Sequence, residues 1–363
     1  MPLPHSTMSE RLLLGPGPSP VAPRVMHAMT APVLSHLDPE MMAILDDVRA
    51  RLGRVFRAGA GAFSFAVSGT GTSGMETAIA NLTRPGARAV AVVNGYFGDR
   101  LAQMLERYGA SVTRAEGEWG RAFDPARLSG ALGAGADLVT MVHAETSTGV
   151  LNPVGDLCRV AAQAGAKTIV DCVTSLGAHP VDAAAWGADA VYSCTQKGLG
   201  APSGLSPVTF REGTGGAASR SFYFDLGLLH AYWLERKYHH TISAPLVYAL
   251  QEALKAVEEE GLEARWERHR VNHERLLSAL AGIGLEVLPP AGERLWSLNA
   301  VKVPAGVDEA AVRKALLAED GIEIGAGLGP LAGKIWRVGL MGSGSTEENI
   351  TRLVSALARL LRR

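Results

Sequence analysis

Between residues 63 and 210, short apolar runs alternate with stretches of helical periodicity. FSFAVSG, RAVAVVNG, ASVTRAEG, ADLVTMVHAE, AKTIVDCV, ADAVYSCTQK and LSPVTF are the seven strand-like runs. SGMETAIANL, YFGDRLAQMLERYG and LCRVAAQAG, which lie between several of them, have the spacing of helices. Continuous apolar strands separated by helices predict an α/β fold, with a mostly parallel seven-stranded sheet covered on both faces.

The flanks read differently. The first forty or so residues are rich in Pro and Gly (GPGPSPVAPRVM, APVLSHLDPEMM), which predicts an extended, turn-prone segment outside the core. Residues 40–57 carry apolar positions three and four apart, the pattern of an amphipathic helix. Around 243–281 the pattern is one long helix interrupted at Gly261. Beyond it LEVLPP, SLNAVKVP, DEAAVRKALLAED, GIEIGAG, KIWRVGLMG and TEENITRLVSALARLL predict a smaller α+β domain. The expected division is an N-terminal extended segment over 1–20, a large domain over 21–250 and a small C-terminal domain over 251–363.

Composition narrows the class of partner. The chain has 363 residues, 35 basic against 36 acidic, and a formal charge of −1. Such a balance gives no electrostatic footprint for nucleic acid or an anionic membrane, so small molecules are the expected partners. No apolar run approaches the ~18 residues a membrane span needs. Cys158, Cys172 and Cys194 sit in apolar stretches without metal-ligand spacing, so they read as core residues and no metal is expected. MPLPHSTMSERLLL lacks the basic and apolar regions of a signal peptide, and LARLLRR carries no peroxisomal tripeptide, so the cytoplasm is the expected compartment.

In an open parallel sheet, ligands bind beyond the carboxyl ends of the strands. The polar residues there are therefore the candidates. Ser68-Gly69-Thr70-Gly71-Thr72 follows a strand and opens a helix, an arrangement suited to a phosphate and equally to simple helix capping. Phe97 follows the next strand and offers an aromatic face, for a flat ring or for the core. Glu145, Thr146, Ser147 and Thr148 supply polar groups at a third strand end, suited to a ring hydroxyl or to loop structure. Asp171 ends a strand, and Lys197 follows the next one 26 residues later. A lysine so placed can form a Schiff base with a carbonyl cofactor, and an aspartate one strand away can keep a pyridine nitrogen protonated. Arg337 interrupts the apolar KIWRVGLMG run, as a carboxylate fork or as half of an internal ion pair.

In this order, these segments resemble the class-V aminotransferases of pyridoxal-phosphate fold type I, in particular the alanine–glyoxylate and serine–glyoxylate enzymes. The likeness runs from LLLGPGPSPVAPRVM to GIEIGAGLGPLAGKIWRVGLMG and is strongest in VDCVTSLG, YSCTQKGLGAPSGLS and KYHHT. It implies pyridoxal 5′-phosphate as cofactor, Lys197 as its aldimine lysine and Asp171 as the partner of its ring nitrogen. Val173 and Phe97 would cover the two ring faces. Thr70, Gly71, Thr72 and Gln196 would contact the phosphate, and Thr146 would lie near the ring hydroxyl. Tyr238 and Thr241 would reach the cofactor of a second subunit, which implies a homodimer with shared active sites. Arg337 would bind the substrate carboxylate, with the backbone of Gly15-Pro16-Gly17 nearby.

Two positions depart from the family pattern: Phe97 stands where alanine–glyoxylate enzymes commonly carry Trp, and Thr72 where they often carry His. The implied reaction is ping-pong transfer of an amino group from alanine or serine to a 2-oxo acid, with glyoxylate favoured. Serine–pyruvate and aspartate aminotransferases fit the same pattern. A cysteine desulfurase fits poorly, because no cysteine follows Cys194. A nicotinamide dehydrogenase lacks its GxGxxG turn. A non-catalytic scaffold of this fold gains little from the Asp171, Lys197 and Arg337 set.

Overall fold

The computed structural model describes residues 9–133, 135–215 and 219–361. The first eight residues of the expected N-terminal segment lie outside that range.

The seven strand-like runs become β1 (Phe63–Ser68), β2 (Arg88–Val93), β3 (Ser111–Glu116), β4 (Leu138–Val142), β5 (Lys167–Asp171), β6 (Ala190–Tyr192) and β7 (Leu205–Phe210). They form one sheet in the order β1-β7-β6-β5-β4-β2-β3. Only β7 opposes the rest, pairing antiparallel with both β1 and β6. All the other pairs are parallel. Every residue of β4 and of β7 is buried. Burial on both faces is why neither run shows the strict apolar–polar alternation of a half-exposed strand.

Helices α1 (Pro39–Val55), α2 (Gly71–Leu82), α3 (Tyr96–Arg107) and α4 (Val154–Gln163) join Leu101, Leu157 and Ile79 to the strand residues in one core. Asp38 caps α1 by accepting from the Glu40 amide at 2.8 Å, and Met41, Leu45, Val48, Leu52 and Val55 turn inward. Among the described residues, no helix is long and apolar enough to cross a membrane.

The predicted long helix is two: α5 (Ala244–Glu260) and α6 (Leu262–Ala281). Gly261 between them has a φ of +82°, which breaks the helix and which L side chains seldom adopt. α5 buries Val247, Leu250, Leu254 and Val257 in the large core, whereas α6 sends Leu276 and Leu280 into a second one. Around that second core stand β8 (Leu298–Lys302), β9 (Gly325–Ala326), β10 (Ile335–Gly339) and the terminal α7 (Glu347–Leu361). β10 is the middle strand of the small sheet.

The N-terminal segment differs from the extended, coreless expectation. Leu12–Leu13 pair in parallel with Ile322–Glu323, and Leu14 is fully buried in the second core. Pro23–Ala28 form a short helix whose Val25 packs on Ala249 and Ala253 of α5. Pro23 in its first turn presets φ and needs no amide donor there, so a Pro-rich segment can still start a helix once α5 offers an apolar face.

Candidate active site

A cavity of about 250 Å³ opens beyond the carboxyl ends of the large sheet, lined by Thr70, Gly71, Thr72, Met75, Phe97, Arg100, Asp171, Val173, Gln196 and Lys197. Eight of these are sequence candidates from four separate strand ends. Met75 and Arg100 are the additions.

The rim at Thr70 is the start of α2. Thr70 occupies the cap position without using its side chain there, so its hydroxyl stays available. The first helical amides have no intrahelical acceptor, and with the helix dipole they favour an anion. Gly71 is needed for closeness: a Cβ there would lie 3.0 Å from a Val173 methyl and 3.4 Å from Cys194. The Thr72 hydroxyl takes only a long 3.4 Å contact from Arg100, whose guanidinium also lies 5.0 Å from the Phe97 ring centroid.

Asp171 ends β5, fully buried. Its Oδ1 accepts from the Val173 amide at 2.8 Å and its Oδ2 from the Tyr192 hydroxyl at 2.5 Å. Burial pushes its pKa up to about 7, against the pull of those two donors. Lys197 lies across the cavity from a different strand end. Burial pushes its amine below the usual lysine range, and Arg337 adds to that. Its Nζ donates to the Pro16 carbonyl, and the neighbouring Gly17 (φ +106°) leaves no room for a Cβ beside the lysine. Ser19 holds the loop from below, through 2.8 Å to the Lys197 carbonyl and 2.9 Å to that of Gln196.

The polar cluster after β4 divides. Glu145 anchors the start of α3, accepting from Ser147 Oγ at 2.5 Å and from the Gly98 and Phe97 amides at 3.2 and 3.4 Å. Gly95 leaves the room for its carboxylate. Glu145 and Ser147 thus hold the turn that presents Phe97 and do not face the cavity. Thr146 is buried against Thr174 and is not part of the lining.

Arg337 sits in the middle of β10 and is 8% exposed. Nε donates to the Ala326 carbonyl at 2.6 Å, and one terminal nitrogen reaches the Thr146 carbonyl at 3.5 Å. It makes no ion pair among the described residues, so the internal-pair alternative drops out. Burial lowers its pKa to about 10, which leaves it cationic at neutral pH. A buried guanidinium with donors to spare can receive a carboxylate, although Arg337 itself is not among the residues that line the cavity. Tyr238 and Thr241 are not brought to this cavity. Both are exposed, Tyr238 at 64%.

Cys194, three residues before Lys197, is buried, and burial pushes its thiol up to about 12, so it supplies no thiolate.

The family described as Aminotransferase class-V matches this chain over residues 12–353. The chain belongs to the class-V aminotransferases. A solved alanine–glyoxylate aminotransferase from Nostoc sp. superposes with a TM-score of 0.96 at 43% identity, over 100% of this chain and 98% of that one. The (S)-ureidoglycine–glyoxylate transaminase of Bacillus subtilis (strain 168) is 36% identical over 97% of this chain and 91% of its own length. The alanine–glyoxylate aminotransferase of Drosophila melanogaster is 36% identical over 96% and 91%.

Class-V aminotransferases are pyridoxal-phosphate enzymes, and this member's residues fit the group. The cavity has an anion-favouring helix start, a carboxylate at a second edge and a buried amine at a third. The buried Gln196 Oε1 has no hydrogen-bond partner among the described residues, which leaves it free for a bound group.

Tyr192 was missed by sequence reasoning. It reads as an apolar-strand residue, and only the β5–β6 register, which pairs Asp171 with Tyr192, puts its hydroxyl on the carboxylate. A hydrogen bond to a charged acceptor is worth about 1.5–3 kcal/mol. The Tyr192→Phe aminotransferase should therefore bind pyridoxal phosphate about 10- to 100-fold more weakly. Titration of cofactor-free protein reads this directly. An affinity within twofold of the parent would remove Tyr192 from the site.

Proposed function

We propose that this aminotransferase moves an amino group from alanine or serine to glyoxylate by a ping-pong mechanism. The observation that carries the reading is one cavity lined by both the Asp171 carboxylate and the Lys197 amine, from two different strand ends. The names of the relatives support glyoxylate as acceptor.

Pyridoxal phosphate, when bound, supplies an aldehyde that condenses with amines and a protonated pyridine ring that accepts an electron pair. Thr70, Gly71, Thr72 and Gln196 would bind its phosphate, and Phe97 and Val173 would pack against its ring. Asp171, held by Tyr192 and the Val173 amide, keeps the ring nitrogen protonated. Lys197 carries the cofactor between turnovers. Its amine, when free, would be the base that takes the proton from the substrate α-carbon and holds it for return. A lysine with a depressed pKa is suited to that, because a larger fraction is unprotonated near neutrality. Arg337 orients the substrate α-carboxylate, beside the Gly17 backbone.

Tyr238 and Thr241 belong, in this reading, to the cavity of a second copy in a homodimer. Exposed Phe222 (73%) and Tyr223 (39%) near Tyr238 give that surface an apolar character that a second subunit would cover.

The experiment is a visible spectrum of the loaded protein while alanine, serine and aspartate are added singly, followed by glyoxylate. Alanine or serine should bleach the lysine-linked band, and glyoxylate should restore it. Bleaching by aspartate alone, or no recovery with glyoxylate, would overturn the assignment. In steady state, Arg337→Ala should raise the KM for donor and acceptor by about 30-fold or more, since truncating one side of a buried charge pair costs about 2–5 kcal/mol. A KM within threefold of the parent would exclude Arg337 as the carboxylate receptor.

A further inference from the structure

Behind the cavity, the turn that follows Asp171 and the turn that follows Lys197 touch through their backbones. A Cβ on Gly177 would lie 3.1 Å from the Gly198 carbonyl oxygen, and one on Gly198 would overlap the Leu176 carbonyl. Only glycine lets the two turns come this close. Both outward carbonyls are taken by one side chain. Arg265, near the start of α6, donates from Nε to the Gly177 oxygen at 2.9 Å and from a terminal nitrogen to the Gly198 oxygen at 2.7 Å. Its other terminal nitrogen reaches Glu260, the last residue of α5, at 2.6 Å.

Glu260 is shared. Arg268 donates to it at 2.6 and 3.0 Å, and gives its remaining nitrogen to the carbonyls of Gly342 at 3.1 Å and Ser345 at 2.8 Å. These two residues lie in the turn after β10, the strand that carries Arg337. His269 accepts from the Gly342 amide at 3.2 Å and bonds the Arg265 carbonyl at 2.7 Å. The network therefore crosses from the large core to the small one at the Gly261 break.

Burying a guanidinium is costly, and Arg265 is 6% exposed. The cost is tolerated because all three nitrogens find acceptors. A rigid planar fork with two bonded carbonyls fixes the spacing of the groups it spans, which a flexible ammonium cannot do.

We propose that Arg265 is a positioning residue of the reaction: its fork sets the Lys197 turn against the Asp171 turn, and Glu260 and Arg268 tie both to the turn behind Arg337. The proposal rests on the reading of Lys197 and Asp171 given above. It touches neither substrate nor cofactor. It acts through the geometry of the groups that do, where displacements of about 1 Å cost about 100-fold in rate.

The test compares Arg265→Lys, Arg265→Met and Glu260→Gln proteins, loaded with pyridoxal phosphate, with the parent. Arg265→Lys keeps the charge but cannot bridge both carbonyls. Its kcat should fall about tenfold or more, with the donor KM within about threefold, and the pH midpoint of the lysine-linked absorbance should move by at least about half a unit. Glu260→Gln, which loosens both arginines, should move the midpoint in the same direction. Arg265→Met should exceed both effects. If it does not fold, the other two variants carry the test. An Arg265→Lys protein with parental kcat and midpoint, whatever its melting temperature, would reduce Arg265 to a structural ion pair. Absence of a lysine-linked band in the parent itself would instead strike the reading of Lys197.

Discussion

Lys197→Ala protein is expected to lose at least about 10²–10⁴-fold in turnover, the span that a positioned general base contributes. It should also show no lysine-linked absorbance at any pH. The two losses have one origin. The amine sits at the end of a loop that Ser19 holds from below through the carbonyls of Gln196 and Lys197. Among the described residues no other lysine lines the cavity, so no neighbour there takes over the linkage. Cofactor should still enter, since α2 and Asp171 are untouched, but it should wash out on gel filtration far sooner than from the parent. Quench-flow turnover and a visible scan after desalting check both points. Retention of the band, or turnover within tenfold of the parent, would mean that another group does the chemistry.

Asp171→Asn protein should lose about 10²–10³-fold in kcat, as expected for removal of one preorganised electrostatic partner. Its second effect runs the other way. In the cofactor-free protein, burial raises the Asp171 pKa from 3.8 to about 7. The fold therefore favours the protonated acid. The stability tied to that proton is complete below about pH 4 and is lost as the pH rises through about 7. That interval corresponds to at most about 4 kcal/mol. Asparagine has no proton to lose. Cofactor-free Asp171→Asn protein should accordingly be more stable than the parent at pH 8 and close to it at pH 4, while being the poorer enzyme at both. Urea melts of the two cofactor-free proteins at the two pH values read this. A parent whose stability does not fall relative to the variant between them would show that Asp171 is already ionised without the cofactor. The cost is the reverse side of the site's purpose, since a carboxylate kept from water is the stronger partner for a protonated pyridine.

Much of this was legible beforehand. All seven strands of the large sheet stand at the seven strand-like runs of the sequence. The gathering of Thr70, Gly71, Thr72, Phe97, Asp171, Val173, Gln196 and Lys197 follows from β1, β2, β5 and β6 running the same way in one sheet, so that their carboxyl ends lie along one edge. What stayed hidden has identifiable causes. Glu145 left two readings open in the sequence, and its carboxylate is an anchor for α3, accepting from the amides of Phe97 and Gly98. The N-terminal segment looked coreless because Pro and Gly dominate its local signal, yet Leu14 and Val25 are packed by partners hundreds of residues away.

Periodicity and residue type, both local properties, by themselves determined the α/β class, the strand and helix identities in the large domain and the chemistry waiting at the strand ends. Tertiary structure alone decided which groups meet across long separations: Tyr192 with Asp171 by sheet register, Pro16 with Lys197, and Arg265 with the two glycine turns. The physical reason is that a side chain's period along its own element is written in its neighbours, whereas register and domain packing depend on how whole surfaces fit.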